Sequence, residues 1–124
     1  MSSGQAVVVI NKTISEGESA AFAYRDEYGL IAEGFVFRRN GVLHAYRNQC
    51  RHRPLTLDYG DGELFTEDRR YLLCRNHGAL YEPETGLCIA GPCTGASLFR
   101  LHAIGSGAGI EIFAPPENAD IELE

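Results

Sequence analysis

Cys50-Arg51-His52 and Cys74-Arg75-Asn76-His77-Gly78 bound the stretch that decides how this chain is read. Each box offers one thiolate and one imidazole. Two soft sulfurs and two borderline nitrogens suit either a tetrahedral zinc or an iron–sulfur cluster. The spacing bears on the choice. Zinc fingers pair like ligands, as Cys-x2-4-Cys and His-x3-5-His. Here each box pairs one Cys with one His over a very short span. That suits a binuclear centre in which one metal takes both thiolates and the other both imidazoles.

Further along, Thr85-Gly86-Leu87-Cys88-Ile89-Ala90-Gly91-Pro92 adds a loop ending in Gly-Pro. Cys-x-His, a spacer over residues 53–73, Cys-x2-His-Gly and this loop together resemble the Rieske [2Fe–2S] family. The likeness is to the small bacterial ferredoxins and to oxygenase Rieske domains, and it covers roughly residues 30 to 113. It implies an all-β fold, a Rieske-like antiparallel β-sandwich with a small cluster-binding subdomain formed by two ligand loops. It implies one [2Fe–2S] cluster held by Cys50, His52, Cys74 and His77, with Gly91 and Pro92 in the loop that covers it. A zinc site built from the same four residues is the alternative.

Working outward, the strands read from the apolar pattern agree with an all-β chain. Ala6 to Ile10 is β-branched and Ala20 to Arg25 alternates weakly, with a turn at Ser15-Glu16-Gly17-Glu18 between them. Gly34 to Arg38 puts Phe35 and Phe37 on one face and Val36 on the other. Asn40-Gly41 predicts a two-residue type I′ hairpin turn, which needs positive φ at both positions. The return strand, Val42 to Arg47, delivers the chain to Cys50. In the spacer, Tyr59-Gly60-Asp61-Gly62 reads as a loop and Glu67-Asp68-Arg69-Arg70 as a charged turn. Tyr71 to Leu73 delivers the second box. Ala79 to Tyr81 and Leu87 to Ile89 flank a turn at residues 82–86. Leu98 to Ile104 and Ile110 to Phe113 form a last hairpin around Gly105-Ser106-Gly107-Ala108-Gly109. That glycine run lacks the βαβ context of a phosphate-binding loop.

Length and composition set the frame. The 124 residues make one domain, with the cluster-binding part at about 48–94 and a loose acidic tail at about 115–124. A formal net charge of −6 speaks against nucleic-acid binding. No stretch reads as a secretory leader or a membrane span. Four cysteines, two of them beside histidines at ligand spacing, point to a reducing cytoplasmic setting rather than a disulfide scaffold. Cys88 and Cys93 read as two small, partly buried thiols, although their spacing permits a disulfide.

The resemblance carries an electronic consequence. Two ferric ions, two sulfides and two thiolates sum to zero, so one-electron reduction gives a single negative charge. An all-thiolate cluster starts with two more negative charges and is harder to reduce. His2Cys2 clusters accordingly lie at about −150 to +300 mV, against roughly −400 mV for plant-type ferredoxins. High-potential family members place a serine and a tyrosine, two and four residues after the second His, as donors to cluster sulfurs. Those positions are Ala79 and Tyr81 here. Their loop-joining disulfide falls on Leu55 and Asn76 and cannot form. A potential in the lower half of the range follows, with Tyr81 as the one remaining donor.

Arg51, Arg53 and Arg75 gather a positive charge beside the ligands, suited to an acidic docking face. Pro54 stands where family members usually have Gly. His44 and His102, the only other histidines, read as surface or packing residues rather than an iron pair. The sequence carries neither a nicotinamide or flavin fingerprint nor an oxygenase's mononuclear iron domain. The resemblance therefore implies a soluble one-electron carrier, without catalysis of its own, between a flavin-containing reductase and a terminal oxygenase or similar redox protein. Two rivals are the Rieske subunit of another redox enzyme, such as a nitrite reductase, and a zinc-stabilised binding module.

Overall fold

The computed structural model describes residues 6–26, 28–50, 57, 64–75, 78–106 and 109–114. The expected Tyr59–Gly62 loop and the acidic tail lie outside them. Among the described residues nine strands follow in order: β1 (Val8–Ile10), β2 (Ser19–Arg25), β3 (Ile31–Arg39), β4 (Val42–Arg47), β5 (Leu72–Leu73), β6 (Leu80–Tyr81), β7 (Cys88–Ala90), β8 (Arg100–Ser106) and β9 (Gly109–Phe113). The strand pairs are antiparallel, in a six-stranded sheet ordered β1-β9-β8-β4-β3-β2 and a three-stranded sheet ordered β5-β6-β7. The described residues contain no helix, and so none long and apolar enough to cross a membrane. The all-β antiparallel expectation holds.

The chain divides into two compact units, one of residues 1–47 with 100–124 and the other of residues 48–99. In the first, period-two alternation builds the core. Val8 and Ile10 face Ile112 and Ile110 in register, while Val9 pairs with Glu111 on the outside. Ala20, Phe22 and Tyr24 turn inward along β2. Tyr24, Val36, Ala45, Leu101, Ile110 and Ile112 meet in one cluster, so both ends of the six-stranded sheet serve a single interior. Burial of each large aliphatic side chain there contributes roughly 1.5–3 kcal/mol. The opposite face of β3 is also buried: Phe35 and Phe37 stack at 6.1 Å, and His44 stacks on Phe37 at 5.4 Å. His44 is a packing residue, and His102 is exposed.

Several strand ends differ from the expectation. β3 extends back to Ile31 because β2 pairs with it through Arg25↔Ile31. β8 starts at Arg100, since the Leu98 N–H is already committed to the Gly86 carbonyl at 2.8 Å. β1, β5, β6 and β7 are shorter or shifted by one or two residues for the same reason: partners set the ends.

The β3–β4 hairpin turns at Asn40 (φ 54°) and Gly41 (φ 79°), both positive as type I′ geometry demands. Glu16 caps this turn. Its carboxylate accepts the Asn40 N–H at 2.5 Å and the Gly41 N–H at 2.9 Å. These bonds, the Gly41 one foremost, hold the Glu16 carboxyl below its ordinary value of 4.5. A group depressed in the folded state adds stability above its unfolded pKa and loses it as pH falls through the folded value. Glu16→Gln is therefore expected to be less stable than the parent at neutral pH, with the gap closing as pH drops below 4.5. Urea midpoints measured across that range check this.

β4 and β8 are hydrogen-bonded neighbours, paired at Ala45↔Leu101 and Tyr46↔Arg100. Residues 48–99 thus leave and rejoin the sheet at adjacent positions. The Arg100 guanidinium donates to the Tyr46 hydroxyl at 3.1 Å and lies 5.1 Å from the ring centre, fastening that exit.

Candidate metal centre

The second unit is built around two turns and a clasp. β5 and β6 pair through Leu72↔Tyr81 and Leu73↔Leu80, so Cys74 and Gly78 lie at the ends of the turn between them. There the Cys74 N–H donates to the Ala79 carbonyl, and the Gly78 N–H returns to the Cys74 carbonyl, both at 2.8 Å. Cys74 is fully buried. Asn48, just before the first box, is tied through Leu57 to Arg75 in the second. Asn48 Oδ1 accepts the Leu57 N–H at 2.8 Å, and the Leu57 carbonyl accepts the Arg75 N–H at 2.8 Å. Asn48 stands two residues before Cys50, and Arg75 directly follows Cys74. The side chain of Leu57 is fully buried, which holds the clasp in place. Nothing in the spacer's composition marked Leu57.

A side-chain contact also joins the first box to β6. Cys50 is 1% exposed, and its sulfur lies 3.5 Å from the hydroxyl of the buried Tyr81. The same hydroxyl lies 3.0 Å from Cys93 Sγ, a contact with no counterpart in the sequence reading. Tyr81 thus reaches a candidate ligand sulfur, where the resemblance expects a donor. Ala79, buried beside the box, offers no hydroxyl. Gly91 lies against it with φ 100°, and a Cβ at Gly91 would come within 2.7 Å of Ala79 Cα. The Gly91-Pro92 turn is laid on the residue that follows the second box, with Pro92 exposed.

Cys88 and Cys93 are more buried than expected and are turned toward one another, their sulfurs 3.0 Å apart. None of the four cysteines is in a disulfide. Burial, and then the hydrogen bond with Cys93, push the Cys88 thiol up to about 11.

His52 and His77 lie outside the described residues, as do Arg51, Arg53, Pro54, Leu55 and Asn76. Among the described residues no three of His, Cys, Asp and Glu converge as a metal-binding group. What is described fits half of an iron–sulfur site. Cys50 and Cys74 are thiols withdrawn from solvent in clasped loops, and a phenol points at one of them. Sulfur ligation, a donor to sulfur and exclusion of water are the protein's means of holding and tuning such a cluster.

The comparisons with known proteins agree with this chemistry. A family model for the Rieske [2Fe–2S] domain matches residues 3–112. The ferredoxin of carbazole 1,9a-dioxygenase from Nocardioides aromaticivorans IC177 is similar in fold (TM-score 0.60, 24% identity), over 89% of this chain and 95% of that one. The terminal oxygenase of carbazole 1,9a-dioxygenase from Novosphingobium sp. KA1 superposes with TM-score 0.65 at 17% identity, over 90% of this chain but 31% of its own. A chain from the complex of reduced oxygenase and oxidised ferredoxin of carbazole 1,9a-dioxygenase gives 0.62 at 21% identity, over 86% and 89%. No curated protein matches the sequence. With most of its length matched by the family model, and buried thiols in both boxes, the chain belongs to the Rieske [2Fe–2S] family, whose cofactor is a [2Fe–2S] cluster.

Proposed function

We propose that this protein is a cytoplasmic one-electron carrier, taking an electron from a flavin-containing reductase and passing it to a terminal oxygenase. Cys50 and Cys74 would hold one iron of the cluster, and His52 and His77 the other, the division of ligands that defines a Rieske centre. The bound cluster supplies a one-electron couple. The chain's own residues set its conditions. Cys50 and Cys74 sit out of reach of water. Tyr81 offers an O–H to the Cys50 sulfur, and Ala79 offers nothing. With one such hydroxyl in place of two, the midpoint belongs in the lower half of the Rieske range, and a value above about +200 mV contradicts this account.

The observation that carries the reading is the family match over residues 3–112, in a chain whose fold runs the length of a dioxygenase ferredoxin. Its test is a reconstituted chain of NADH, a flavin-containing ferredoxin reductase, catalytic amounts of this protein, and cytochrome c as acceptor. The protein should raise the rate of cytochrome c reduction several-fold. It should also be needed for product formation when a terminal oxygenase replaces cytochrome c. No stimulation of either acceptor by cluster-loaded protein overturns the proposal.

A further inference from the structure

Cys88 and Cys93 have no part in the function proposed above, yet the fold brings their sulfurs to 3.0 Å. A disulfide bond is about 2.05 Å long, so a closing movement of about 1 Å joins them. The backbone around them is fixed. The Cys88 N–H donates to Ala96 O at 2.7 Å, Gly95 N–H to Cys88 O at 3.0 Å, and Ala96 N–H to Cys93 O at 2.9 Å. Thr94 Oγ1 closes the turn on Gly91 O at 2.7 Å. Cross-linking so short a loop removes little chain entropy, so the pair's value lies elsewhere than in stability.

The hydrogens of this cluster run in one direction. Cys88 S–H donates to the Ala90 carbonyl at 3.3 Å, and Cys93 S–H donates to Cys88 Sγ at 3.0 Å. The hydrogen between Tyr81 and Cys93 is therefore the phenol's. The Cys93 sulfur, at 3.0 Å, competes for it with the Cys50 sulfur, at 3.5 Å.

We propose that Cys88 and Cys93 form a two-electron dithiol–disulfide centre, and that the Tyr81 hydroxyl passes its state to Cys50. Cys93, 9% exposed as a residue against 1% for Cys88, reacts first with a small-molecule disulfide such as oxidised glutathione, forming a mixed disulfide and releasing one glutathione thiol. Cys88 then attacks the Cys93 sulfur, and its proton leaves with the second glutathione. Two protein thiols and one glutathione disulfide become one protein disulfide and two glutathione thiols. A dithiol reductant reverses the exchange.

Oxidation removes both thiol hydrogens and makes Cys93 a poorer acceptor. Tyr81 then donates to Cys50, and a hydrogen bond to a ligand sulfur favours the reduced, more negative cluster. This coupling rests on Cys50 being a ligand, as the proposed function has it. The disulfide chemistry does not.

The experiment poises anaerobic holoprotein in glutathione redox buffers, blocks remaining thiols with an alkylating reagent, and maps disulfides by mass spectrometry. The cluster's midpoint is then titrated in the dithiol and disulfide forms. A Cys88–Cys93 cross-link and a roughly tenfold shift toward the reduced cluster, ~59 mV for one electron, are expected. Tyr81→Phe should form the same cross-link and lose the shift. No such cross-link in fully oxidised glutathione overturns the centre. Equal midpoints in the two forms, or an undiminished shift in Tyr81→Phe, overturn the coupling. Mapping needs no redox partner, so it stays readable even where the carrier reading fails.

Discussion

Cys74→Ser is expected to strip the protein of its cluster while leaving its strands in place. Visible absorption, iron and acid-labile sulfide should all fall to a small fraction of the parent's. Serine is nearly the size of cysteine, and the backbone bonds around position 74, to Ala79 and from Gly78, use no side-chain atom. The change is thus confined to the candidate ligand atom. A hydroxyl does not ionise in the range where a thiol does, and its hard oxygen is a poor substitute for soft sulfur. Cys50→Ser should behave alike, with the added loss of the sulfur that faces Tyr81. Cys88→Ser is the control and should keep the cluster. Full iron and sulfide in Cys74→Ser, with loss in Cys88→Ser, would mean that the ligands are wrongly assigned.

The second large effect is expected at a residue with no chemistry of its own. Gly91→Ala should destabilise the protein by about 2–4 kcal/mol, combining a backbone angle that L-residues avoid with overpacking. At φ 100° alanine is strained whatever the space around it. There is no space either, because the new methyl would lie 2.7 Å from Ala79 Cα. A backbone atom cannot swing away as a side chain can. The turn must lift from Ala79, the residue that follows the second box. Pro92→Ala, at an exposed neighbouring position, should cost far less. Urea unfolding of the two variants makes the comparison. A Gly91→Ala midpoint within about 0.5 kcal/mol of the parent would refute the packing account.

Which parts of this protein could be read from the sequence follows from what each part depends on. Asn40-Gly41 fixes the β3–β4 hairpin because positive φ is a local property. Phe35, Val36 and Phe37 sort onto two faces because a strand alternates. The four candidate ligands stand out because metal chemistry allows few side chains. The ends of β3 and β8 were not legible, since they depend on Arg25 and Gly86, which lie far away or in another element. The pairing of β4 with β8 across the whole of residues 48–99 has no local signature either. Leu57 escaped notice because it acts through its N–H and carbonyl, which every residue except proline carries. Cys93 looked like a bystander because its contacts, with Tyr81 and Cys88, arise only when the turn closes.

EPR of the dithionite-reduced protein, read beside its visible spectrum before and after reduction, tests the central claim most directly. A His- and Cys-ligated cluster predicts a red-brown protein that bleaches on reduction, with an average g below that of all-cysteine clusters. A colourless, redox-silent protein with stoichiometric zinc, even after anaerobic cluster reconstitution, would contradict the electron-carrier account.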